Sequence, residues 1–409
     1  MTTANKLIQT ADYNNIRTSV SNVVGNGSAS TGYGQTVNSR SLSNHELVSQ
    51  FDWDLLRFDI LNARIHQVGS ASLVEINENE LISSTTATPY VTTANTTVSA
   101  GERFKVAAGE FLTDINKAST NREYGAGTTP DTWISEINSI FRVTFTSSND
   151  ARYFFNSGGE VRISSSRVNP PSGRSHNESQ STSWTTLLSA AGTQAFGGLY
   201  PAVSSGGVTR PAQTGANYYA LTTAWTQFYR RTNTTPYQNN AYILEARVNV
   251  ANNTTGTATY IEFRIRFVDG YTDPPSGTGA LGFPREVGPE DEVDGLFTIT
   301  LDEKRASSTN FNPITSVLTS ANNEFSRNTI IVPTANVPYV IAGMRVTSSG
   351  GEVGTGRTIQ SSSVSGSDTI FVLNTTTNSI VPAGTSVTFQ NIFSIAAPSY
   401  SVVQTLQGT

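Results

Sequence analysis

Strict alternation of apolar and polar residues marks residues 260–267 as the clearest strand in the chain. The apolar side chains are β-branched or aromatic and the side chains between them are charged: Ile261, Phe263, Ile265 and Phe267 on one face, Glu262, Arg264 and Arg266 on the other. This pattern is typical of a strand with one buried face and one wetted face. Residues 242–250 alternate in the same way, and the turn formers in 251–257 predict that the two runs form a hairpin.

Short runs of the same kind recur on both sides of this hairpin. Residues 141–145 and 296–301 alternate as strands, and 151–156 predicts another strand that a Gly pair breaks at a corner. Residues 184–196 and 218–228 favour further strands or short helices. Because short strands with polar turns follow one another without regularly alternating helices, we expect a mainly β fold with an antiparallel β-sandwich as its body.

Two helices are predicted near the start of the chain. Residues 12–24 place apolar side chains three and four apart, and Gly25 follows as a stop. Ser43 and Glu46 match a capping box, so a longer helix is expected from Glu46 to His66. Its apolar stripe comprises Leu47, Phe51, Leu55, Phe58, Leu61 and Ile65. Since such a helix needs a partner, we expect the stripe to pack on the first helix or to form the oligomer or attachment interface.

The remaining segments predict a spacer and a second β region. The Ser- and Thr-rich runs 83–88 and 92–97 predict an extended linker, with a short helix over 104–115. Short strands and Gly-rich turns after residue 338 predict a small β module that buries little by itself. The expected division is an N-terminal helical region (1–70), a linker (71–135), a β-sandwich body (136–338) and a small C-terminal β domain (339–409).

Composition narrows the functional classes. Charged residues make up 14% of the chain, where about a quarter is usual, and the net charge is −5, so the basic footprint of a nucleic-acid-binding protein is missing. The absence of Cys excludes disulfides and thiolate metal sites. No apolar run reaches the ~20 residues that cross a bilayer, and residues 1–6 lack the apolar core of a secretion signal. We therefore expect neither membrane insertion nor export by that route.

Several segments carry a resemblance to a known family. Three of these segments follow one another along the chain in the same order as in that family: Asp12-Tyr13-Asn14-Asn15-Ile16-Arg17, Gly32-Tyr33-Gly34-Gln35 and Ala63-Arg64-Ile65-His66-Gln67-Val68-Gly69. With residues 153–162, they resemble virion structural proteins of contractile-tailed phages that infect marine cyanobacteria. Residues 342–346 and 382–389 are similar to a small β repeat of phage fibres. The resemblance implies a virion component of the neck, tail, baseplate or fibres, and it brings no catalytic residues.

The candidates for chemistry are acidic side chains, since the three histidines are too few and too scattered for a metal or triad site. Asp269, Asp273, Asp291 and Asp294 lie in two clusters and are candidate Ca²⁺ ligands, with a solvated loop as the default interpretation. The same carboxylates are the basis for one alternative, a polysaccharide depolymerase, which needs two carboxyl groups roughly 5 to 10 Å apart.

Aromatic residues crowd the middle of the chain. Trp184 and Trp225 are expected in the sandwich core, where large rings remove much apolar area from water. The polar turn with Tyr237, Gln238 and Asn239 is a candidate glycan contact, because an exposed aromatic face beside amide groups can stack on a sugar. Residues 350–356 are rich in Gly but lack the Lys and helix of a phosphate loop, and no cofactor is predicted.

These observations favour a non-enzymatic structural protein that assembles through its N-terminal helices and projects its β domains. The expected partners are other copies of the chain, with a homotrimer as the predicted ring, and other virion proteins. The expected location is the virion, assembled in the host cytoplasm. The alternatives are an adhesin for host surface polysaccharide and the depolymerase.

Overall fold

The computed structural model describes residues 9–74, 76, 84–99, 111–124, 133, 135–169, 178–198, 203–205, 208–210, 216–271, 293–306, 313–323, 328–337, 340, 342–390 and 393–408. Within these residues strand predominates over helix, and the sheets are largely antiparallel, which confirms the predicted mainly β fold with N-terminal helices and a sandwich-like body. The chain divides into two compact units, Met1–Phe111 with Ala306–Ile395 and Leu112–Arg305 with Ala396–Thr409.

The helices and strands of the described residues are as follows. The helices are α1 (Thr10–Val24), α2 (Gln50–Val68), α3 (Ser84–Val98), α4 (Ser148–Asn156) and α5 (Glu178–Ala191). The strands are β1 (Phe111–Tyr124), β2 (Glu136–Thr144), β3 (Glu160–Val168), β4 (Thr193–Phe196), β5 (Val203–Ser205), β6 (Val208–Arg210), β7 (Thr226–Thr232), β8 (Ala241–Val248), β9 (Tyr260–Val268), β10 (Gly295–Ala306), β11 (Pro313–Leu318), β12 (Thr329–Pro333), β13 (Arg345–Ser348), β14 (Ile359–Ser365), β15 (Asp368–Leu373), β16 (Ser386–Gln390) and β17 (Ser399–Gly408).

In the first unit, α1, α2 and α3 pack around three aromatic rings. The Trp53 ring lies edge-on to Tyr13 and to Tyr90, at centroid distances of 5.6 and 5.5 Å. Rings in edge-to-face pairs add to the free energy gained by burying their apolar area. The helices therefore form a core of their own within the chain.

The extended linker predicted over 83–88 and 92–97 is wrong where the structure describes it, because most of both runs lies in α3. Ala87, Tyr90 and Ala94 recur at helical spacing and are buried. Burial of this face overrides the low helix propensity of Thr. The short helix predicted over 104–115 is wrong for its described part, which belongs to strand β1, while residues 104–110 lie outside the described residues.

Helix α2 begins at Gln50, later than predicted. Ser49 is its N-cap: the Ser49 hydroxyl accepts from the Asp52 backbone N–H at 3.2 Å, and the Asp52 carboxylate accepts from the Ser49 N–H at 3.0 Å. Ser43 and Glu46 form a turn instead, in which the Glu46 N–H donates to the Ser43 carbonyl. Both sites have the capping-box spacing, but the continuous buried positions of the helix begin at Asp52, just after Ser49 rather than Ser43.

The second unit is built on two sheets. Their strand orders are β1-β10-β3-β4-β6-β5 and β17-β2-β9-β8-β7. The predicted hairpin is confirmed, since β8 and β9 pair antiparallel. Phenylalanines of the two sheets meet between them, with ring centroids of Phe196 and Phe263 5.3 Å apart and those of Phe267 and Phe297 5.2 Å apart. The apolar face predicted for residues 260–267 is fully buried in this sandwich core.

Helix α4 replaces the strand predicted over 151–156. Ser147 caps it by accepting from the Asp150 N–H at 3.1 Å, and Phe154 and Phe155 are buried. A short apolar run does not distinguish strand from helix by periodicity, which explains the error. The predicted corner is present, because Gly158 adopts a φ of 95° and β3 begins at Glu160.

The small β module of the first unit contains two three-stranded sheets, β11-β16-β13 and β12-β15-β14. Phe371 and Phe389 meet in its core, with ring centroids 5.0 Å apart. The module starts at β11, so the predicted boundary after residue 338 is too late. The predicted end at residue 409 is also wrong, because β17 pairs with β2 in the second unit. The predicted linker, 71–135, contains α3 and β1.

Candidate functional site

Asp269 and Asp294, the two candidate Ca²⁺ ligands that the structure describes, hold helix α5 in place. The Gln180 amide nitrogen lies 2.8 Å from both carboxylate oxygens of Asp269. Asp294 accepts from the Ser181 hydroxyl at 2.8 Å and from Arg167 at 2.7 Å, and the Arg167 and Asp294 side chains are 1% and 0% exposed. Burial lowers the pKa of Arg167, which the Asp294 carboxylate opposes. The solvated-loop interpretation is thus wrong for Asp269 and Asp294.

Through these contacts the carboxylates of Asp269 and Asp294 have a structural role: they hold the N-terminal half of α5 in place. Asp273 and Asp291 lie outside the described residues. Across the described part of the chain, no group of three or more His, Asp or Glu side chains is arranged to hold a metal ion.

The histidines have structural surroundings where the structure describes them. His66 is buried in the last turn of α2, and its ring centroid lies 4.6 Å from that of Phe393 and 5.4 Å from that of Tyr33. His45 lies in the turn before α2 with a φ of 69°. His176 lies outside the described residues.

The predicted interface stripe of α2 does not form one surface. Leu55 and Leu61 are buried inside the first unit, so they cannot contact another chain without unfolding the helical core. Leu47 is exposed but precedes the helix, since α2 begins at Gln50. Phe51 is 39% exposed, and Phe58 and Ile65 are half-buried. Leu55 and Leu61 follow the first predicted alternative, because α2 packs on α1 and α3 inside the unit, and the six residues do not form a single interface.

The candidate glycan turn joins β7 to β8. Gln238 and Asn239 are exposed, and Tyr237 is half-buried with its ring 4.8 Å from the ring of Tyr271. Asn240 fixes the base of the turn, where its side-chain oxygen accepts from the Gly270 and Tyr271 backbone N–H groups, each at 3.0 Å. An aromatic pair with two exposed amide side chains thus stands at this end of the sheet.

The two tryptophans predicted for the core have different surroundings. Trp184 is fully buried, as predicted, and its ring lies 6.0 Å from that of Phe267. Trp225 is half-buried and packs on guanidinium groups, with its ring centroid 4.4 Å from the Cζ atom of Arg247 and 4.6 Å from that of Arg264. The core prediction for Trp225 is wrong, because cation–π contact with the charged side of the sheet holds it.

This charged side is the outer face of the five-stranded sheet, hereafter the charged face. It carries arginines and aromatic rings above glutamates: Arg142, Arg247, Arg264, Arg266, Trp225 and Tyr260 above Glu136, Glu245 and Glu262. The arginine side chains are 26–38% exposed and the glutamate side chains 4–17%. The cations therefore point toward solvent, while the carboxylates that hold them lie against the sheet.

Cross-strand ion pairs fix the charged face. Glu262 accepts from Arg142 and from Arg247, both at 2.6 Å, and Arg266 bridges Glu136 at 2.5 Å and Glu245 at 3.6 Å. Burial acts to raise the pKa of Glu262, but the two arginines outweigh it and the pKa is lowered. Alternation in the sequence places these charges on one face, but only the strand register shows which residues pair.

A buried carboxyl group in the other sheet was not singled out by the sequence. Glu303 of β10 is 1% exposed, Arg305 Nε lies 3.5 Å from its Oε1, and the Tyr400 hydroxyl interacts with its carboxyl group. Burial raises the pKa of Glu303. Burial and the Glu303 carboxylate together raise the pKa of Tyr400, which β17 supplies. An alternating strand with Glu at an inward position is the signal that identifies such a group.

Comparison with known proteins finds no matching family model and no significantly similar curated protein. None of the described helices has the length and hydropathy needed to cross a membrane.

Proposed function

We propose that this chain is a non-enzymatic structural component of a tailed-phage virion, in the neck, tail, baseplate or fibres. The sequence resemblance and the mainly β fold support this proposal. The observation that carries it is the charged face, which presents arginine and aromatic side chains on a rigid sheet. These residue types dominate the binding energy at protein–protein interfaces.

The ion pairs prepare this face for docking. Each guanidinium group is held by a carboxylate beneath it, so less side-chain freedom is lost when a partner arrives. Trp225 packs on Arg247 and Arg264, and it adds a large, half-buried aromatic ring to the charged face. The partners proposed are other copies of the chain, in a closed ring such as a trimer, and neighbouring virion proteins.

Assembly through the charged face replaces assembly through the predicted α2 stripe. Leu55 and Leu61 already stabilise the first unit, whereas the side chains of the charged face are partly exposed. In this proposal helices α1, α2 and α3 form a folded part of the first unit, together with the small β module, and do not form the interface. The proposal keeps the structural role and changes the surface that performs it.

The mass of the purified full-length protein in solution tests the proposal. We expect a closed homo-oligomer, and Trp225→Ala should shift it toward the monomer by removing an interface anchor, with a loss of about 2 kcal/mol or more. Gln238→Ala, an exposed change in the β7–β8 turn, is the matched control and should leave the mass unchanged. A monodisperse monomer that binds no other virion protein contradicts the proposal, and antibody labelling of intact particles would locate the chain.

A second candidate function is adhesion to host surface polysaccharide through the β7–β8 turn. The exposed Gln238 and Asn239 beside the ring pair of Tyr237 and Tyr271 favour it. A glycan array with the full-length protein should give binding that Tyr237→Ala removes and Trp225→Ala retains. Binding that survives Tyr237→Ala assigns the glycan contact to another surface.

A further inference from the structure

A groove of about 520 Å³ lies between α1 and α3 in the first unit, with α2 beneath it. Its floor and walls are apolar at Ile16, Trp53, Ala87 and Val91. Its rim is polar: Asp12, Asn15, Ser19, Thr88, Thr92 and Asn95. Because α3 turns small Ala and Thr side chains toward α1, the two helices approach without filling the space between them. The volume is within the range of about 300–1,000 Å³ that is usual for small-molecule sites.

The floor is rigid. Trp53 is fully buried between two tyrosines, and the tyrosine hydroxyls donate to backbone carbonyls: Tyr13 to Asp52 at 3.2 Å and Tyr90 to Val74 at 2.5 Å. In the described part of the chain, the buried Nε1–H of Trp53 has no hydrogen-bond partner. Trp53 is itself 0% exposed, so it supports the groove from beneath without offering this donor to a ligand.

The rim defines the class of ligand. Among the described residues that line the groove there is no Lys, Arg or His, and the one acidic side chain, Asp12, already accepts from the Gln9 N–H at 3.1 Å. An anion would therefore meet a carboxylate and no cation. The other polar lining groups are amides and hydroxyls, which both donate and accept hydrogen bonds. An apolar floor with such a rim matches a molecule that has a flat carbon face and many hydroxyl groups.

We propose that this groove binds a neutral saccharide. One face of the sugar ring packs on the apolar wall of Ile16 and Val91, and its hydroxyl groups bond to Asn15, Thr92 and Asn95. The site shares no residue with the charged face or with the β7–β8 turn, so it goes beyond the proposed structural role and can be tested apart from it.

The test is calorimetric titration of the full-length protein with glucose, N-acetylglucosamine and cellobiose, followed in parallel by tryptophan fluorescence. At least one neutral sugar should bind, and Asn15→Ala and Asn95→Ala should each weaken binding about three- to tenfold by removing a hydrogen bond. Glucuronate, which adds a carboxylate to the glucose skeleton, should bind more weakly than glucose because of Asp12.

A matched pair of variants on α3 separates the groove from other surfaces. Thr92→Phe fills the groove and should abolish binding, whereas Thr96→Phe makes the same change one turn along the helix, outside the groove lining, and should retain it. Tyr237→Ala and Trp225→Ala should also retain it, whatever the oligomeric state. The proposal is overturned if no neutral sugar binds, if glucuronate binds as tightly as glucose, or if both Asn variants bind like the unmodified protein.

Discussion

Glu262 and Glu303 are both buried in the second unit, and their surroundings shift their pKa values in opposite directions. Burial acts to raise both pKa values. At Glu262, Arg142 and Arg247 outweigh it and the pKa falls. At Glu303, burial outweighs Arg305 and the pKa rises. Because a pKa difference between folded and unfolded states makes stability depend on pH, the two side chains should respond to acid in opposite ways.

The Glu303→Gln variant tests the raised pKa. The folded-state pKa of Glu303 lies above its unfolded value, so its contribution to stability is greatest at low pH and is lost as pH rises through the folded value. Gln is neutral at every pH, so the variant should unfold at a higher temperature than the unmodified protein at about pH 8, and the gain should shrink toward about pH 4. A difference in unfolding temperature that does not change with pH contradicts this assignment.

The Glu262→Gln variant should behave in the reverse way. The folded-state pKa of Glu262 lies below its unfolded value, so its contribution is present at neutral pH and is lost as pH falls through the folded value. We expect a loss of about 1–2 kcal/mol in the free energy of unfolding at neutral pH, since water screens the half-exposed arginines. Urea unfolding at several pH values measures the loss, which should fade in acid. Equal losses in acid and at neutral pH would show that packing rather than charge is affected.

At this scale, period-2 alternation is enough to predict that Glu262 shares a face with Arg264 and Arg266. It does not predict that Glu262 pairs with Arg142 and Arg247, because those contacts depend on the register of β2, β8 and β9. The prediction that Trp225 lies in the sandwich core is wrong for the same reason. Its own neighbours in sequence give no sign of the two arginines on which it packs.

Among the elements, the start of α2 shows what a local motif leaves undecided. Ser43 and Ser49 are each followed three residues later by an acidic side chain, and only Ser49 caps the helix. Ser49→Ala should therefore lower the free energy of unfolding of the first unit by about 1 kcal/mol. Ser43→Ala is the matched control and should cost a few tenths at most. Thermal unfolding followed by circular dichroism compares the two variants, and equal losses would contradict the cap at Ser49.

The errors at α3 and α4 have a common physical cause. In α3, low Thr propensity predicts an extended chain, while burial of Ala87, Tyr90 and Ala94 decides for a helix. In α4, aromatic residues typical of strands are buried on a helical turn instead. Long alternating runs such as β9 are predictable because one period fits them, whereas short or Thr-rich segments take the conformation that their neighbours in space can bury.

For the whole molecule, the return of β17 to the second unit is the feature that the sequence did not predict. It pairs with β2, with Tyr400 opposite Val143 and Val402 opposite Phe141. Deleting residues 396–409 should therefore destabilise the sandwich and leave the small β module folded. Hydrogen exchange should show faster exchange in β2, with β12 and β15 unchanged. Val403→Ser, at a half-exposed position of β17, is the control and should behave like the unmodified protein. Unchanged exchange in β2 after the deletion would contradict the pairing.

The same pairing has a consequence for synthesis on the ribosome. Ser399 and Thr144, which meet at one end of the β2–β17 ladder, are 255 residues apart along the chain. At a synthesis rate of about 5–20 residues per second, roughly 10–50 s pass between the synthesis of β2 and that of its partner strand β17. During that interval the nascent chain carries an open sheet edge at β2, so the five-stranded sheet is complete only after β17 has emerged.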